Sequence, residues 1–152
     1  MSAKTAVYPG SFDPITNGHV DIILRGTSIF DRIVVLIAVN HSKRTLFTLE
    51  ERLELVREVF ADHPKVEAQS FEGLLAKYLK QHDARAVIRG LRAVSDFEYE
   101  FQMALMNRKI YPQAETLFLA SRENYTYVSS CILKEVFSLG GLHPRSRTAD
   151  RH

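Results

Sequence analysis

Four segments of the 152-residue chain carry the histidine, lysine, arginine and hydroxyl side chains that phosphate chemistry needs. In the first, residues 8–19, His19 follows Gly18 at the predicted start of a helix. Free backbone N–H groups and the positive end of the helix dipole favour an anion at such a point. His19 there can donate a hydrogen bond to a phosphoryl oxygen. Alternatively, Asn17 caps the helix and His19 is an ordinary first-turn surface residue.

The second and third segments add cations. Lys43 follows the strongly apolar run 33–39, and Arg89 and Arg92 flank Gly90 after another apolar run. Arginine is always charged and holds phosphate through two parallel hydrogen bonds, so these side chains suit a phosphate site. The alternatives are a solvated basic loop for Lys43 and surface ion pairs with the following acidic residues for the two arginines.

The fourth segment, residues 121–131, is rich in hydroxyl groups and precedes a further predicted helix. Its hydroxyl and backbone N–H groups converge on a helix start, which suits a phosphate. The alternative is a plain helix cap formed by Ser129 or Ser130.

Several other chemistries have no signature in the chain. It contains no GxxxxGK[ST], no GxGxxG after the first predicted strand, no HExxH and no GxSxG. The six histidines show no close pair at metal-ligand spacing, and Cys131 is the single cysteine, which excludes an internal disulfide and a multi-thiolate zinc site. The remaining cations suit the binding of polyphosphate and the stabilisation of charge during phosphoryl transfer.

Charge and hydropathy indicate no nucleic-acid or membrane partner. Lys and Arg number 20 against 18 Asp and Glu, a net charge of +2 that is too small to favour either by charge. No apolar run reaches the ~20 residues that span a bilayer. The first residues lack the pattern of a signal peptide. The expectation is a cytoplasmic protein.

Short apolar strands alternate with amphipathic helices five times, which predicts one α/β domain. Its five-stranded parallel sheet carries helices on both faces and binds ligands beyond the carboxyl ends of the strands. In the fourth helix Phe97, Phe101, Leu105 and Met106 share a face. We predict a domain over residues 1–142 and a polar, basic tail over 143–152. The predicted strands are 4–8, 33–39, 66–71, 86–89 and 116–120, and the helices 18–30, 49–60, 74–81, 96–110 and 129–139.

Two longer strings are more specific than any single loop. Residues 8–19 read YPGSFDPITNGH, which contains a T-x-G-H motif, and residues 88–100 read IRGLRAVSDFEYE. With FTLEER at 47–52, these strings resemble the bacterial phosphopantetheine adenylyltransferases of the nucleotidyltransferase superfamily. The resemblance extends over about residues 5–141 and includes all four segments in order.

The resemblance implies a Rossmann-like nucleotidyltransferase fold. It also implies transfer of AMP from ATP to 4′-phosphopantetheine, giving dephospho-coenzyme A and pyrophosphate in coenzyme A synthesis. The attack would be direct and in line, without a covalent enzyme intermediate, and ATP would react with Mg²⁺. A homohexamer and feedback inhibition by coenzyme A are further implications.

By matching position, the resemblance implies catalytic roles for His19, Lys43 and Arg92, and no protein ligand for a metal. Residues that would contact phosphopantetheine are Ser11, Lys43, Leu75 and Arg89. Residues that would contact ATP are Ser11, Phe12, His19, Gly90, Leu91, Arg92, Glu100, Tyr125, Thr126, Tyr127, Val128, Ser129, Ser130 and Cys131.

The chain departs from the family pattern at two places. Cys131 stands where relatives usually carry Ser or Thr, and a thiol is the weaker hydrogen-bond donor. The tail 143–152 is short and basic where relatives continue with a helical segment. Two other functions stay open. The acceptor can be nicotinamide mononucleotide or glycerol 3-phosphate, or the chain can be an ATP-binding regulatory module without turnover.

Overall fold

The structure is a computed structural model that describes residues 4–92 and 94–120. Strands and helices alternate along this part of the chain, as the apolar pattern predicts. The elements are β1 (Thr5–Gly10), α1 (Asn17–Gly26), β2 (Arg32–Val39), α2 (Leu49–Val59), β3 (Val66–Glu72), α3 (Leu75–Gln81), β4 (Ala86–Leu91), α4 (Val94–Ile110) and β5 (Glu115–Ala120).

The five strands form one parallel sheet in the order β3-β2-β1-β4-β5. This confirms the predicted sheet. After β1 the chain adds β2 and β3 on one side, and then returns to add β4 and β5 on the other. The strand order therefore reverses between β1 and β4. A crevice at such a switch point, at the carboxyl ends of the strands, is where α/β sheets bind ligands.

Helices cover both faces of the sheet, because alternate residues of a strand point to opposite faces. On β1, Ala6 and Tyr8 pack with the helices α1 and α2, whereas Val7 packs with α3. On β2, Val35 packs with α1 and α2, whereas Val34 packs with α3. Strands buried on both faces are nearly continuous apolar runs, which is why β2 was recognisable from its sequence.

The strands β1 and β4 each extend two residues further than predicted toward the carboxyl edge. The prediction that β1 stops before Pro9 is wrong, because Pro9 and Gly10 continue in register with β2. The pairing of β1 with β4 ends at Val7, so the missing N–H of Pro9 removes no bond from that ladder. Likewise β4 continues through Gly90 and Leu91, which pair with β5.

The starts of α1 and α2 are set by side-chain caps. The Thr48–Glu51 capping box predicted for α2 is present. For α1, Thr16 rather than Asn17 is the cap, and His19 completes its capping box. The helix α1 ends at Gly26, four residues earlier than predicted. The predicted helix 129–139 and the tail 143–152 lie outside the described residues.

The apolar face predicted for α4 is largely exposed. Phe97, Phe101, Leu105 and Met106 are 45–51% exposed. The rings of Phe97 and Phe101 stack with their centroids 5.5 Å apart. On its inner side, α4 packs against α3, β4 and β5. No helix in the described part of the chain has the length and apolarity to cross a membrane.

The cap of α2 generates a stability prediction. The Thr48 hydroxyl accepts the Glu51 N–H at 3.2 Å, and the Glu51 carboxylate accepts the Thr48 N–H at 3.0 Å. We expect Thr48→Ala to lower the free energy of unfolding by about 1 kcal/mol, measured by urea denaturation. Thr48→Ser, which keeps the hydroxyl, is the matched control and should unfold like the unsubstituted protein. Equal loss in both variants would show that the cap hydroxyl is not what stabilises this end of α2.

Candidate active site

The candidate site lies where β1 and β4 end side by side. Arg89 on β4 donates from Nη1 to the carbonyl of Pro9 on β1, at 2.5 Å. Backbone approaches closely here. A Cβ on Gly90 would lie 3.3 Å from a side-chain atom of Ile22, and a Cβ on Gly10 would lie 3.1 Å from the Phe12 ring. Glycine at these two positions lets the strand ends and α1 come together at the switch point.

The loop from β1 to α1 turns on a buried aromatic residue. Phe12 is 2% exposed, and its φ of 46° lies in the left-handed region that non-glycine residues seldom adopt. Its ring meets the rings of Tyr8 and His19 edge-on, with centroids 5.2 and 4.9 Å away. Phe12 therefore packs against the imidazole of His19. Because Phe12 is buried as a whole residue, little of it is accessible for the contact with ATP that the resemblance implies. Ser11 beside it is exposed.

The imidazole of His19 is fixed by the capping box of α1. Its Nδ1 accepts the backbone N–H of Thr16 at 3.0 Å. Because Nδ1 is the acceptor, the proton of the neutral ring is on Nε2. His19 is therefore both a helix-capping residue and a donor, since its Nε2–H remains available for an acceptor such as a phosphoryl oxygen. The alternative that Asn17 caps the helix and His19 is an ordinary surface residue is wrong, because Thr16 is the cap and His19 is half-buried.

Burial and two arginines keep this imidazole neutral. Desolvation lowers the pKa of His19 below its ordinary value of 6.5, and the positive charges of Arg92 and Arg89 lower it further. Burial also raises the pKa of the Tyr8 phenol to about 12, against the opposing effect of the same two arginines. At neutral pH both groups are uncharged donors, through His19 Nε2–H and the Tyr8 hydroxyl, and the lone pair of His19 Nδ1 is already used to accept the Thr16 N–H.

Arg89 is held by the carboxylate of Glu100 on α4. Its Nε lies 2.9 and 2.8 Å from the two carboxylate oxygens, and its Nη2 lies 2.5 Å from Oε1. The Glu100 side chain is 7% exposed and that of Arg89 is 32% exposed. A guanidinium has five N–H donors. After the bonds to Glu100 and Pro9, one hydrogen remains on each Nη for a further acceptor.

Lys43 and Arg92 are the exposed cations of the predicted set. Lys43 lies in the loop between β2 and α2, where the Asn40 carbonyl accepts its backbone N–H at 3.1 Å. Within residues 4–92 and 94–120, neither side chain is in an ion pair. Arg92 follows β4 directly, and its charge acts on both His19 and Tyr8.

A cavity of about 300 Å³ opens beside this edge of the sheet, and it is mostly apolar. Leu75, predicted to line a pantetheine channel, is in its wall together with Arg89 and Glu100. Leu74, Met103 and Asn107 also line the cavity. The cavity can take a slender, largely apolar group whose anionic end lies toward Arg89.

The described residues contain no group of three His, Cys, Asp or Glu side chains placed to hold a metal ion. Of the predicted site residues, Ser11, Phe12, His19, Arg89, Gly90, Leu91, Arg92 and Glu100 lie along the ends of β1 and β4 or on the adjacent helices, with Lys43 at the end of the neighbouring strand β2. Residues Tyr125–Cys131 lie outside the described part of the chain.

The sequence analysis missed two residues that organise these loops. Arg52 on α2 is 4% exposed, and its Nη1 donates to the carbonyl of Ser11 at 2.9 Å. The carboxylate of Asp13 accepts the backbone N–H groups of Leu46 and Phe47 at 2.7 and 2.8 Å. One signal was available for Arg52, which falls in the apolar phase of α2, one position before Leu53. A cation on the buried face of a helix needs hydrogen-bond acceptors from the surrounding structure.

The electrostatics of His19 can be tested by titration. NMR of the imidazole should give a pKa below 6.5. Arg92→Ala should raise it without restoring 6.5, because desolvation remains. Because the folded state binds this proton more weakly than the unfolded chain, His19 contributes stability that decreases as the pH falls below about 6.5. Arg85→Ala, at the opposite edge of the sheet, is the control. An unchanged pKa in Arg92→Ala would remove Arg92 from the field at His19.

Two solved structures share the fold at low sequence identity. A lipopolysaccharide core biosynthesis protein from Thermoplasma volcanium matches 79% of this chain and 98% of its own, with a TM-score of 0.59 and 18% identity. A bifunctional NMN adenylyltransferase/ADP ribose pyrophosphatase from Francisella tularensis matches 82% of this chain and 40% of its own, with a TM-score of 0.62 and 12% identity.

Sequence relatives are much closer. The cytidylyltransferase-like family model matches residues 7–136. The phosphopantetheine adenylyltransferase of Dictyoglomus turgidum is 58% identical over 136 residues, which is 90% of this chain and 85% of the relative. That of Syntrophotalea carbinolica is 57% identical over 141 residues, 93% of this chain and 85% of the relative. With this similarity over nine-tenths of its length, the chain belongs to the phosphopantetheine adenylyltransferase family of nucleotidyltransferases.

Proposed function

We propose that the chain transfers AMP from ATP to 4′-phosphopantetheine, which yields dephospho-coenzyme A and pyrophosphate. The observation that carries the proposal is the neutral His19 imidazole, held at the start of α1 with its Nε2–H free and two arginines acting on it. Family membership supplies the substrates, and this geometry suits their chemistry. The site has to bring two anionic groups together and offset their repulsion.

The reaction is a direct in-line displacement. A phosphate oxygen of phosphopantetheine attacks the α-phosphorus of ATP, a new P–O bond forms, and the bond to the bridging oxygen breaks to release pyrophosphate. The nucleophile is already an anion, so no side chain has to remove a proton from it. His19 Nε2–H donates to an α-phosphoryl oxygen, where charge increases in the transition state. Arg92 adds positive charge beside it.

Arg89 and Lys43 hold the phosphate of phosphopantetheine. Arg89 is oriented by Glu100 and still offers one hydrogen from each Nη, which matches the two-point binding of a phosphate. Lys43 serves as a mobile point charge that brings the two phosphates together. Positioning of this kind lowers the barrier without any covalent step on the protein. Glu100 serves the site through Arg89, since its carboxylate is buried and already paired.

The nucleotide occupies the other side of the strand ends. Ser11, with Gly90, Leu91 and Arg92, contacts ATP. The run for which the resemblance implies contacts with ATP, Tyr125, Thr126, Tyr127, Val128, Ser129, Ser130 and Cys131, lies outside the described residues. The cavity lined by Leu74, Leu75 and Met103 takes the pantetheine arm, because its walls are apolar and Arg89 lies at one end.

Mg²⁺ accompanies ATP in this proposal. An ion of this kind commonly keeps several waters and binds through substrate phosphates rather than in an all-protein cage. The groups proposed to face the phosphates, on His19, Lys43, Arg89 and Arg92, are hydrogen-bond donors and not the oxygen ligands that Mg²⁺ takes, so they fit an ion carried on the triphosphate. When bound, the ion neutralises charge on the phosphates and makes pyrophosphate a better leaving group.

Pyrophosphate release tests the function. With ATP and Mg²⁺, we expect release that depends on 4′-phosphopantetheine, stops with chelator, and gives dephospho-coenzyme A by mass. Nicotinamide mononucleotide and glycerol 3-phosphate are the parallel acceptors. Release only with one of these would reassign the acceptor. ATP binding without release for any acceptor would favour a regulatory module.

The same assay tests His19. His19→Ala should lower turnover at least about 100-fold while ATP still binds, because a transition-state donor is lost. His63→Ala is the matched control, since that histidine lies between α2 and β3. Near-normal turnover of His19→Ala would exclude the imidazole from the reaction.

A cytoplasmic homohexamer with feedback inhibition by coenzyme A is part of the proposal. Coenzyme A contains the product's pantetheine and adenosine parts, so it fits the same site. The exposed apolar side chains of α4, 45–64% accessible, support burial between subunits, because monomers seldom expose so many together. Light scattering should give a hexamer mass, lowered by Phe101→Glu. A monomeric unsubstituted protein would contradict this.

A further inference from the structure

Asp13 links two loops that the proposed function requires to act together. It lies in the β1–α1 loop, between Ser11 and His19 in sequence. Its Oδ2 accepts the N–H of Leu46 at 2.7 Å, and its Oδ1 accepts the N–H of Phe47 at 2.8 Å. Both donors belong to the segment between β2 and α2 that carries Lys43. A carboxylate that accepts two backbone N–H groups makes strong, charge-assisted bonds and fixes both partners.

Arg52 adds a second link between the same two regions, in the opposite direction. From α2, its Nη1 donates to the Ser11 carbonyl at 2.9 Å and to the Ala38 carbonyl, at the end of β2, at 3.4 Å. Among residues 4–92 and 94–120 no carboxylate pairs with this guanidinium, which is 4% exposed. Asp13 in the β1–α1 loop therefore holds the segment between β2 and α2. Arg52, on the helix that follows this segment, holds the β1–α1 loop.

The segment that carries Lys43 is fixed on both sides of it. On one side the Asn40 side chain accepts the N–H and hydroxyl of Ser42 at 3.1 and 2.7 Å. On the other side stand the two bonds to Asp13. The Lys43 side chain itself is exposed and is in no ion pair within the described residues, so its place is set by its backbone.

We infer that Asp13 is a positioning residue, which sets Lys43 relative to Ser11 and His19 and so fixes the distance between the two reacting phosphates. This inference rests on the proposed function, in which Lys43 holds the phosphate of 4′-phosphopantetheine. Asp13 touches neither substrate. It acts by holding the backbone of Leu46 and Phe47, three and four residues after Lys43.

Asp13→Asn separates positioning from charge. The amide keeps the volume but has one oxygen for two N–H donors, and its NH₂ group faces the second donor. Through charge alone, removing an anion near a phosphate site would tighten phosphate binding. If the variant instead loses the positioning of Lys43, the binding of 4′-phosphopantetheine becomes weaker. The sign of the change therefore distinguishes the two effects.

The test measures 4′-phosphopantetheine binding without ATP, by calorimetry on the full chain. We expect Asp13→Asn to weaken binding at least about fivefold, and Lys43→Ala to weaken it as well. In the Lys43→Ala background, adding Asp13→Asn should change the dissociation constant less than about twofold, because residues that act as a unit are not additive. Asp31→Asn is the matched control. Its carboxylate accepts the Lys4 N–H at 2.9 Å, the same kind of bond, before β2 at the other edge of the sheet.

The outcomes separate the inference from the function on which it rests. Weaker binding by Lys43→Ala with unchanged or tighter binding by Asp13→Asn overturns the inference alone. Fully additive effects overturn it too, because Asp13 would then not act through Lys43. Unchanged binding by Lys43→Ala overturns both the inference and the role proposed for Lys43. Amide exchange in the unsubstituted protein adds an independent check. The N–H groups of Leu46 and Phe47 must be protected, and exchange as fast as in an unstructured peptide would overturn the inference even if the variant does not fold.

Discussion

The ion pair between the partly buried Arg89 and the buried Glu100 is the interaction around which the site is built. Removing a guanidinium and a carboxylate from water costs several kcal/mol per ion, and good geometry with further hydrogen bonds is needed to offset that cost. Here the carboxylate takes Nε and Nη2 of the arginine, and the Pro9 carbonyl takes Nη1. The pair thus joins α4, β4 and β1 at the switch point of the sheet. One hydrogen on each Nη of Arg89 remains available to a ligand.

Electrostatic balance at this point explains why the histidine is neutral. Desolvation and then the charges of Arg92 and Arg89 make a further positive charge on the half-buried imidazole costly, and the lowered pKa of His19 expresses that cost. The capping box then decides which nitrogen holds the proton, since Nδ1 is used as an acceptor. An uncharged donor at a helix N-terminus can bind a phosphoryl oxygen without first breaking an ion pair with a counter-ion. Because Glu100 offsets the charge of Arg89, this arginine contributes oriented hydrogen-bond donors more than net charge.

The loops at the ends of β1 and β2 are positioned by backbone contacts rather than by side-chain packing alone. Asp13 and Arg52 use four hydrogen bonds to peptide groups, so their effect does not depend on the identity of the residues they hold. Phe12 completes the arrangement, with a left-handed backbone that is maintained by its buried ring. Strain of this kind persists only where the surrounding packing enforces it.

Much of the fold could be predicted from local patterns. The β2 run is apolar because both faces of a parallel strand are buried, and the Thr48–Glu51 spacing defines a capping box without reference to the rest of the chain. The ends of β1 and β4 could not be predicted in the same way. Pro9 looks like a strand terminator, and only its place beyond the last β1–β4 pair shows that its missing N–H removes no bond from the ladder.

By itself the sequence determined the alternation of strands and helices, the cations at the strand ends and, through extended motifs, the family. Periodicity and motif spacing are local, so they can be read without coordinates. Only the tertiary structure decided that Thr16 caps α1, that Glu100 pairs with Arg89, and that Asp13 and Arg52 join two loops. Each of these contacts depends on hydrogen-bond distances of a few ångströms, and for all but the first the partners are eleven to forty-one residues apart along the chain. Which distant groups meet is set by the packing of the sheet and its helices.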